Sequence, residues 1–318
     1  MGAAGAGLNG SLSAGTARES QQRESALVSV VVPTFRRVER LQSLLTRLEV
    51  VDFALRLDVV IVDQTPHTDL AALARFSRAF AGLRFTHLDA ANVAKARNTG
   101  ARHAKAPVLL FIDDDMELEV SFVPCLLGLM RATPQAAFGA MLAVGGVAPQ
   151  GLGPVLEAQP AEPRDFLPTG VMAVRREHFF KIGGFDERLF RYFEDAEFSH
   201  RLKQAGVALI RHRDLRAIHH DRRENGTWYA SSLAEAASAL MRHTAYLGRK
   251  TGRSWTSVCC NLAHLVVSEA RRPAYLKRGT VLTRAMMMGL HAPAALLYAG
   301  RPPVLCWEQV PSSHEVVA

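Results

Sequence analysis

The 318-residue chain is 48% hydrophobic, 7% aromatic and 21% charged, with a formal net charge of +8. This length suits one large α/β domain with appendages, or one domain plus a small one, and the apolar content is ample for a folded core. Cys125, Cys259, Cys260 and Cys306 show neither zinc-ligand spacing nor the layout of a disulfide framework, which points to a reducing, cytosolic setting.

Residues 1–25 are rich in Gly, Ala and Ser and lack a basic start followed by an apolar run. They read as a disordered leader and not as a signal peptide. Leu27 to Val32 is a β-branched run that meets a loop at Pro33, and Val38, Leu41, Leu44, Leu45 and Leu48 then recur at helical spacing. Leu57 to Val62 is a second strand ending at Asp63, and Leu83 to Leu88 a weaker third. Lys95 to Lys105 reads as a helix, and Val108 to Ile112 is a fourth strand closed by Asp113, Asp114 and Asp115. Strands alternating with helices predict a mostly parallel sheet, whose ligand crevice lies beyond the carboxyl ends of its strands. Pro33-Thr34, Asp63 and the three aspartates stand at such ends.

Further on, Phe138 to Val144 suggests another strand and Gly145 to Pro163 a loop. Phe166 to Arg175 carries a short apolar segment around Gly170, and Gly183 to Glu187 is a turn. Glu194 to Gln204 predicts a helix with acids in its first turn, where the helix dipole favours them. Val207 to Ile210 and Leu215 to Ile218 are short strand candidates. From residue 231 the pattern is helical, and ten Lys and Arg face only Glu235, Glu269, Glu308 and Glu315. Such a basic tail suits an anionic membrane surface, nucleic acid or an acidic partner, or is simply a solvated helix face. Met286 to Gly300 is apolar but short and interrupted by His291 and Pro293, so an interfacial or core helix is expected there and not a membrane span.

Three adjacent carboxylates repel one another unless a cation lies among them, and Mg²⁺ or Mn²⁺ prefers such oxygen donors. Taken alone, Asp113 to Asp115 could equally be an acidic turn. Asp63 could accept a hydrogen bond from a ribose or base, or form a turn before Thr65-Pro66. Arg97 could bind diphosphate oxygens through its forked donors, or lie on a helix surface. Glu194-Asp195 follows the aromatic-rich stretch Phe190 to Phe193, and a carboxylate among aromatics can have a raised pKa and act as a general base. His219 and His220, after a short apolar strand, could supply a further metal ligand.

In this order the segments resemble the family-2 glycosyltransferases of the GT-A fold, from about Ser29 to His220. Val30-Val31-Val32-Pro33-Thr34-Phe35-Arg36-Arg37 is similar to the family's first-strand signature, and Val60-Ile61-Val62-Asp63 to its second. Asn92 and Ala96-Arg97-Asn98-Thr99-Gly100 resemble its nucleotide-side helix, Asp113-Asp114-Asp115 its Asp-x-Asp motif, and Gly183 to Glu187 with Glu194-Asp195 its acceptor-side turn and catalytic pair. The resemblance implies a nucleotide-binding α/β domain over residues 26–230 with a basic helical extension over 231–318. It implies an inverting transfer from a nucleoside diphosphate sugar to the hydroxyl of an unidentified acceptor. Pro33, Thr34, Asp63, Arg97, Asp113 and Asp114 would then bind the nucleotide sugar. Asp113 and Asp115, with His220 ahead of His219, would hold Mg²⁺ or Mn²⁺. Asp195, beside Glu194, would be the base, and Gly170 and Asp186 would face the acceptor. Phe35, Arg36 and Gln64-Thr65 depart from the family pattern and leave the base identity open.

Competing expectations are a nucleotide-binding phosphate hydrolase and a non-catalytic nucleotide-sugar-binding protein. A haloacid-type hydrolase would want Asp-x-Thr, whereas Met116-Glu117 follows the acids here. No interleaved aromatic and basic motif predicts nucleic-acid binding. A cytoplasmic enzyme, peripheral to the inner face of the membrane through its basic tail, is the expected setting.

Overall fold

A computed structural model describes residues 26–52, 57–66, 73, 75, 76, 79–144, 161–164, 166–220, 233–270 and 278–300. The expected leader, most of the Gly145–Pro163 loop and everything after Gly300 lie outside the described residues. The first half alternates as the sequence predicts: β1 (Val28–Thr34), α1 (Val38–Asp52), β2 (Asp58–Asp63), β3 (Gly82–His87), α2 (Val93–His103) and β4 (Val108–Ile112). After it come β5 (Met116–Leu118), α3 (Phe122–Ala132), β6 (Ala136–Val144), β7 (Ala161–Pro163), β8 (Val171–Arg175), α4 (Arg176–Lys181), α5 (Glu194–Gln204) and β9 (Ala208–His219). Three helices finish the described chain: α6 (Leu233–Lys250), α7 (Trp255–Ala270) and α8 (Arg278–Ala299).

One sheet runs β3-β2-β1-β4-β8-β6-β9-β5, with β7 on β9. The strands from β3 to β4 pair in parallel, β8 lies antiparallel to both β4 and β6, and β6 and β9 are again parallel. The continuous parallel run, β3 to β4, is thus built from the N-terminal part of the chain. The two short strand candidates after Val207 are one strand, β9, broken by a bulge. Gly139 pairs with Arg211 and Met141 with Arg216, so two steps on β6 span five on β9.

Apolar runs form the inner strands because both sheet faces are covered. Val28, Val30, Val32, Val108, Leu110 and Ile112 point to a core shared with α1 and α3. Their alternating neighbours Val31, Leu109 and Phe111 point to a second core with α2, α4 and α5, built around Phe179, Phe185 and Phe198. Each such fully buried side chain stabilises the fold by roughly 1.5–3 kcal/mol. Helices α6, α7 and α8 share a third core of Met241, Val258, Leu262, Met288 and Ala295. Met286 to Gly300 falls in α8 and its turn, and among the described residues no helix is long and apolar enough to cross a membrane.

Candidate active site

The carboxyl ends of β1, β2 and β4 meet beside the N-terminal end of α2, as the parallel register requires. Thr34 lies opposite Asp63, and β4 ends one residue before Asp113. A cavity of about 300 Å³ opens there, lined by Pro33, Arg37, Asn92, Arg97, Asp113, Asp114, Phe190, Tyr192 and Glu194 among others. That volume is at the small end of ligand sites.

The three aspartates have separate partners. Asp113 accepts a 2.8 Å hydrogen bond from Arg97, and its side chain is one-third exposed. Asp114 is buried, accepts hydrogen bonds from Thr34 Oγ1 at 2.7 Å and Arg37 at 3.0 Å, and burial pushes its carboxyl up to about 6. Asp115 meets Arg37 at 3.2 Å and Arg40 at 3.3 Å through Oδ2. Its Oδ1 is buried without a hydrogen-bond partner, with the His219 Nε2 3.5 Å away. Burial pushes Asp115 up, but His219, Arg37 and Arg40 outweigh it and hold this carboxyl below its usual range. His219 is therefore the ring that faces the acids. His220, ranked ahead of it from sequence, turns its ring to Glu117 and Arg47, while its backbone N–H donates to the Asp115 carbonyl.

Arg97 is almost fully buried and joins both ends of the cavity, one nitrogen on Asp113 and another on Glu194 Oε1, each at 2.8 Å. The expected nucleotide ligand thus also binds two carboxylates of the site together. Glu194 opens α5, and Phe193 before it takes a left-handed φ of 65°. Such a conformation in a bulky residue costs of order 1–3 kcal/mol and is held by its surroundings. Asp195 is half-buried, and burial, then the Glu194 charge, push its carboxyl up to about 7. Its Oδ1 accepts the Ala196 N–H at 2.7 Å.

Asp63 is buried at the end of β2, where Oδ1 accepts the Thr65 N–H at 3.0 Å and its carbonyl accepts the Leu88 N–H. It borders a minor recess with Thr34 and Arg37, next to the main cavity. The Gly170 carbonyl accepts the Asp113 N–H, and a Cβ at residue 170 would lie 2.6 Å from Met116 Cε and 3.5 Å from Asp113 Oδ2. Glycine here allows the backbone to press against the acidic turn.

The turn at Gly183 and Gly184 uses φ values of 95° and 65°, which glycine adopts without strain. It delivers Asp186 away from the cavity. Asp186 is fully buried and accepts hydrogen bonds from Tyr246 at 2.6 Å and Lys250 at 2.5 Å, both on α6. Lys250 also meets Glu197 at 2.8 Å, Tyr298 donates to the Arg188 carbonyl, and the Tyr192 N–H donates to His243 Nδ1. The C-terminal helices thereby hold the segment from Asp186 to Glu197 that lines the site. Sequence reading missed this clamp and Arg40, and it named Arg37 and Gln64 only as parts of a pattern, with no role for either. Gln64 is buried, accepts the Asn92 N–H at 2.6 Å and so ties β2 to the start of α2.

By donor chemistry Asp113, Asp115 and His219 suit Mg²⁺ or Mn²⁺, offering carboxylate oxygens and one imidazole 3.5 Å from Asp115 Oδ1, while Arg97 on Asp113 and Arg37 and Arg40 on Asp115 balance the acids as they stand.

Comparisons with known proteins agree on the fold. Two N-acetylglucosaminyl-diphospho-decaprenol L-rhamnosyltransferases, from Mycobacterium tuberculosis strains CDC 1551 / Oshkosh and ATCC 25618 / H37Rv, are 38% identical over 77 residues. That stretch covers 24% of this chain and 25% of theirs, so the chain matches about a quarter of these relatives' length. The crystal structure of S. aureus TarS residues 1–349 with UDP-GlcNAc superposes with a TM-score of 0.55 at 19% identity, over 70% of this chain and 66% of TarS. GalNAc-T7 with UDP, GalNAc and Mn²⁺ gives 0.53 at 18% identity, over 83% of this chain and 55% of that one. Residues 29–194, just over half of the chain, match the profile of glycosyl transferase family 2. The chain belongs to this family and has the GT-A fold.

Proposed function

We propose that the enzyme transfers a sugar from a nucleoside diphosphate sugar to an acceptor hydroxyl with inversion, using Asp195 as general base and a divalent cation at the acidic turn. The observation that supports this best is the layout of one cavity. Asp113 and Asp114 line one end and Glu194 the other, and the neighbours of these acids in the chain are Asp115, beside His219, and Asp195, with its carboxyl raised to about 7. Asp113, Asp115 and His219 would hold Mg²⁺ or Mn²⁺, which when bound supplies charge neutralisation for the departing diphosphate. Pro33, Thr34, Asp63 and Asp114 would serve the nucleoside side. Arg97 keeps Asp113 and Glu194 in register and places a positive charge beside the diphosphate. Asp195 takes the acceptor proton as the hydroxyl oxygen bonds to the anomeric carbon and the diphosphate leaves from the opposite face. Gly170 leaves room beside the acidic turn, whereas Asp186 acts by anchoring α6.

The test is transfer from a panel of nucleoside diphosphate sugars to candidate acceptors, with the anomeric configuration of the product read by NMR. Inversion, lost in Asp195→Asn, is expected. Retention, or donor hydrolysis alone with every acceptor, would favour the hydrolase reading.

Two relatives named for a lipid-linked acceptor support a membrane-proximal setting. Leu290, Pro293, Ala294 and Leu297 form an exposed stripe at i, i+3, i+4 and i+7 on α8, which itself carries Arg278 and Arg284, while α6 carries Arg242, Arg249 and Lys250. On this reading residues 231–318 are an extension that both clamps the site and lies against the anionic inner face of the membrane. Leu290→Asp with Leu297→Asp should abolish co-sedimentation with anionic liposomes, and unchanged sedimentation would refute it.

A further inference from the structure

Among the described residues outside the active site, one cluster brings together three different metal-binding side chains. Cys125 lies on α3, and His212 and Asp214 lie on β9 within the bulge that opens between Arg211 and Arg216. One ligand atom from each of the three falls within 4.8 Å of the others. The bulge is what makes this possible. Its extra residues free β9 from pairing with β6 at this point, and bulges commonly re-aim side chains in this way. His212 and Asp214, two apart, come to the side on which α3 packs.

We propose that Cys125, His212 and Asp214 form a second metal site that takes a thiolate-preferring divalent ion such as Zn²⁺. One thiolate, one imidazole and one carboxylate form a donor set that selects Zn²⁺ or Co²⁺ over Mg²⁺ and Mn²⁺. The acidic turn, made of oxygens and one imidazole, has the opposite preference, so the two sites load with different ions. The groups around the cluster are compatible with this. His212 Nδ1 stands 3.7 Å from Asp214 Oδ2, and the Asp214 N–H reaches the same nitrogen over a long 3.3 Å contact that a metal would replace. Arg213 approaches the other carboxylate oxygen at 3.6 Å, and Arg216 turns to the Arg213 carbonyl. Burial, then the Asp214 charge, raise the Cys125 pKa, so the metal-free thiol is protonated. On loading, a sulfur–metal bond forms and the thiol proton leaves to solvent. The ion would pin α3 to the bulge of the strand that carries His219.

The test is titration of the full-length, reduced protein with Co²⁺ in excess Mg²⁺, followed by absorption. A thiolate-to-cobalt charge-transfer band saturating at one equivalent is expected, bleached by Zn²⁺. Cys125→Ser should abolish it, His212→Gln should weaken Co²⁺ binding by at least about tenfold, and Asp113→Asn should leave the band intact. Absence of the band, or its survival in Cys125→Ser through exposed Cys259 or Cys260, would overturn the proposal.

Discussion

Replacing Asp195 by Asn removes the proposed base while nearly preserving shape. With a carboxyl raised to about 7, roughly a tenth of the enzyme carries the base form at pH 6, half at pH 7 and nine-tenths at pH 8. The turnover of the native enzyme should therefore climb about tenfold between pH 6 and pH 8, through a single ionisation near 7. Asp195→Asn should lose about 10²–10⁴-fold in kcat, which is about 3–5 kcal/mol of barrier, and its residual rate should lack that limb. Asp114, raised to about 6, titrates lower and persists in the variant, so it cannot produce the difference between the two profiles. Stability should move the other way. Between the ordinary carboxyl range and about 7 the folded protein holds a proton that the unfolded chain has released, so native stability falls as pH rises through this window. The variant should escape that fall and exceed the native protein in urea midpoint at pH 8. A flat native profile from pH 6 to 8, or an unchanged limb in Asp195→Asn, would refute the assignment.

Other consequences can be checked separately. Arg97→Met leaves buried Glu194 and part-buried Asp113 without their shared partner and should cost roughly 3 kcal/mol in denaturant unfolding. Lys250→Met removes the cation from buried Asp186, while Glu197 keeps its pairing with Arg201. It should destabilise by a similar 3 kcal/mol and lower kcat, since the clamp on residues 186–197 loosens. Tyr246→Phe deletes one hydrogen bond to the same Asp186 carboxylate and should cost about 1.5–3 kcal/mol. Gly170→Ala presses a methyl on flexible Met116 Cε, so stability should drop only about 1 kcal/mol, while activation by Mn²⁺ should weaken because Asp113 Oδ2 is 3.5 Å from the new Cβ.

The parallel half of the sheet was legible because buried strands have to be apolar runs, and Val108 to Ile112 ended where the acids begin. The site was legible to the same depth: strand ends converge in a parallel sheet, so Thr34, Asp63 and Asp113 had to be neighbours. Beyond that, local pattern lost its hold. β5 is only Met116 to Leu118, too short to alternate, and α3 carries Pro124 in its first turn, which reads as a break although that position tolerates it. β9 looked like two strands because its bulge puts polar residues between them. Pairings such as Arg37 with Asp114, 77 residues apart, leave no trace in spacing. The choice between His219 and His220 turns on a one-residue change of face at the end of a strand, which position alone could not decide.

Donor-induced thermal stabilisation with and without Mn²⁺, across a panel of nucleoside diphosphate sugars, tests metal-dependent donor binding without requiring the acceptor. At a hundredfold excess over its Kd, the true donor should add about 2.7 kcal/mol and raise Tm by several degrees. That gain should shrink sharply with chelator or in Asp115→Asn. No shift with any donor, or an equal shift with chelator and in Asp115→Asn, would contradict a cation-assisted nucleotide-sugar site at the acidic turn.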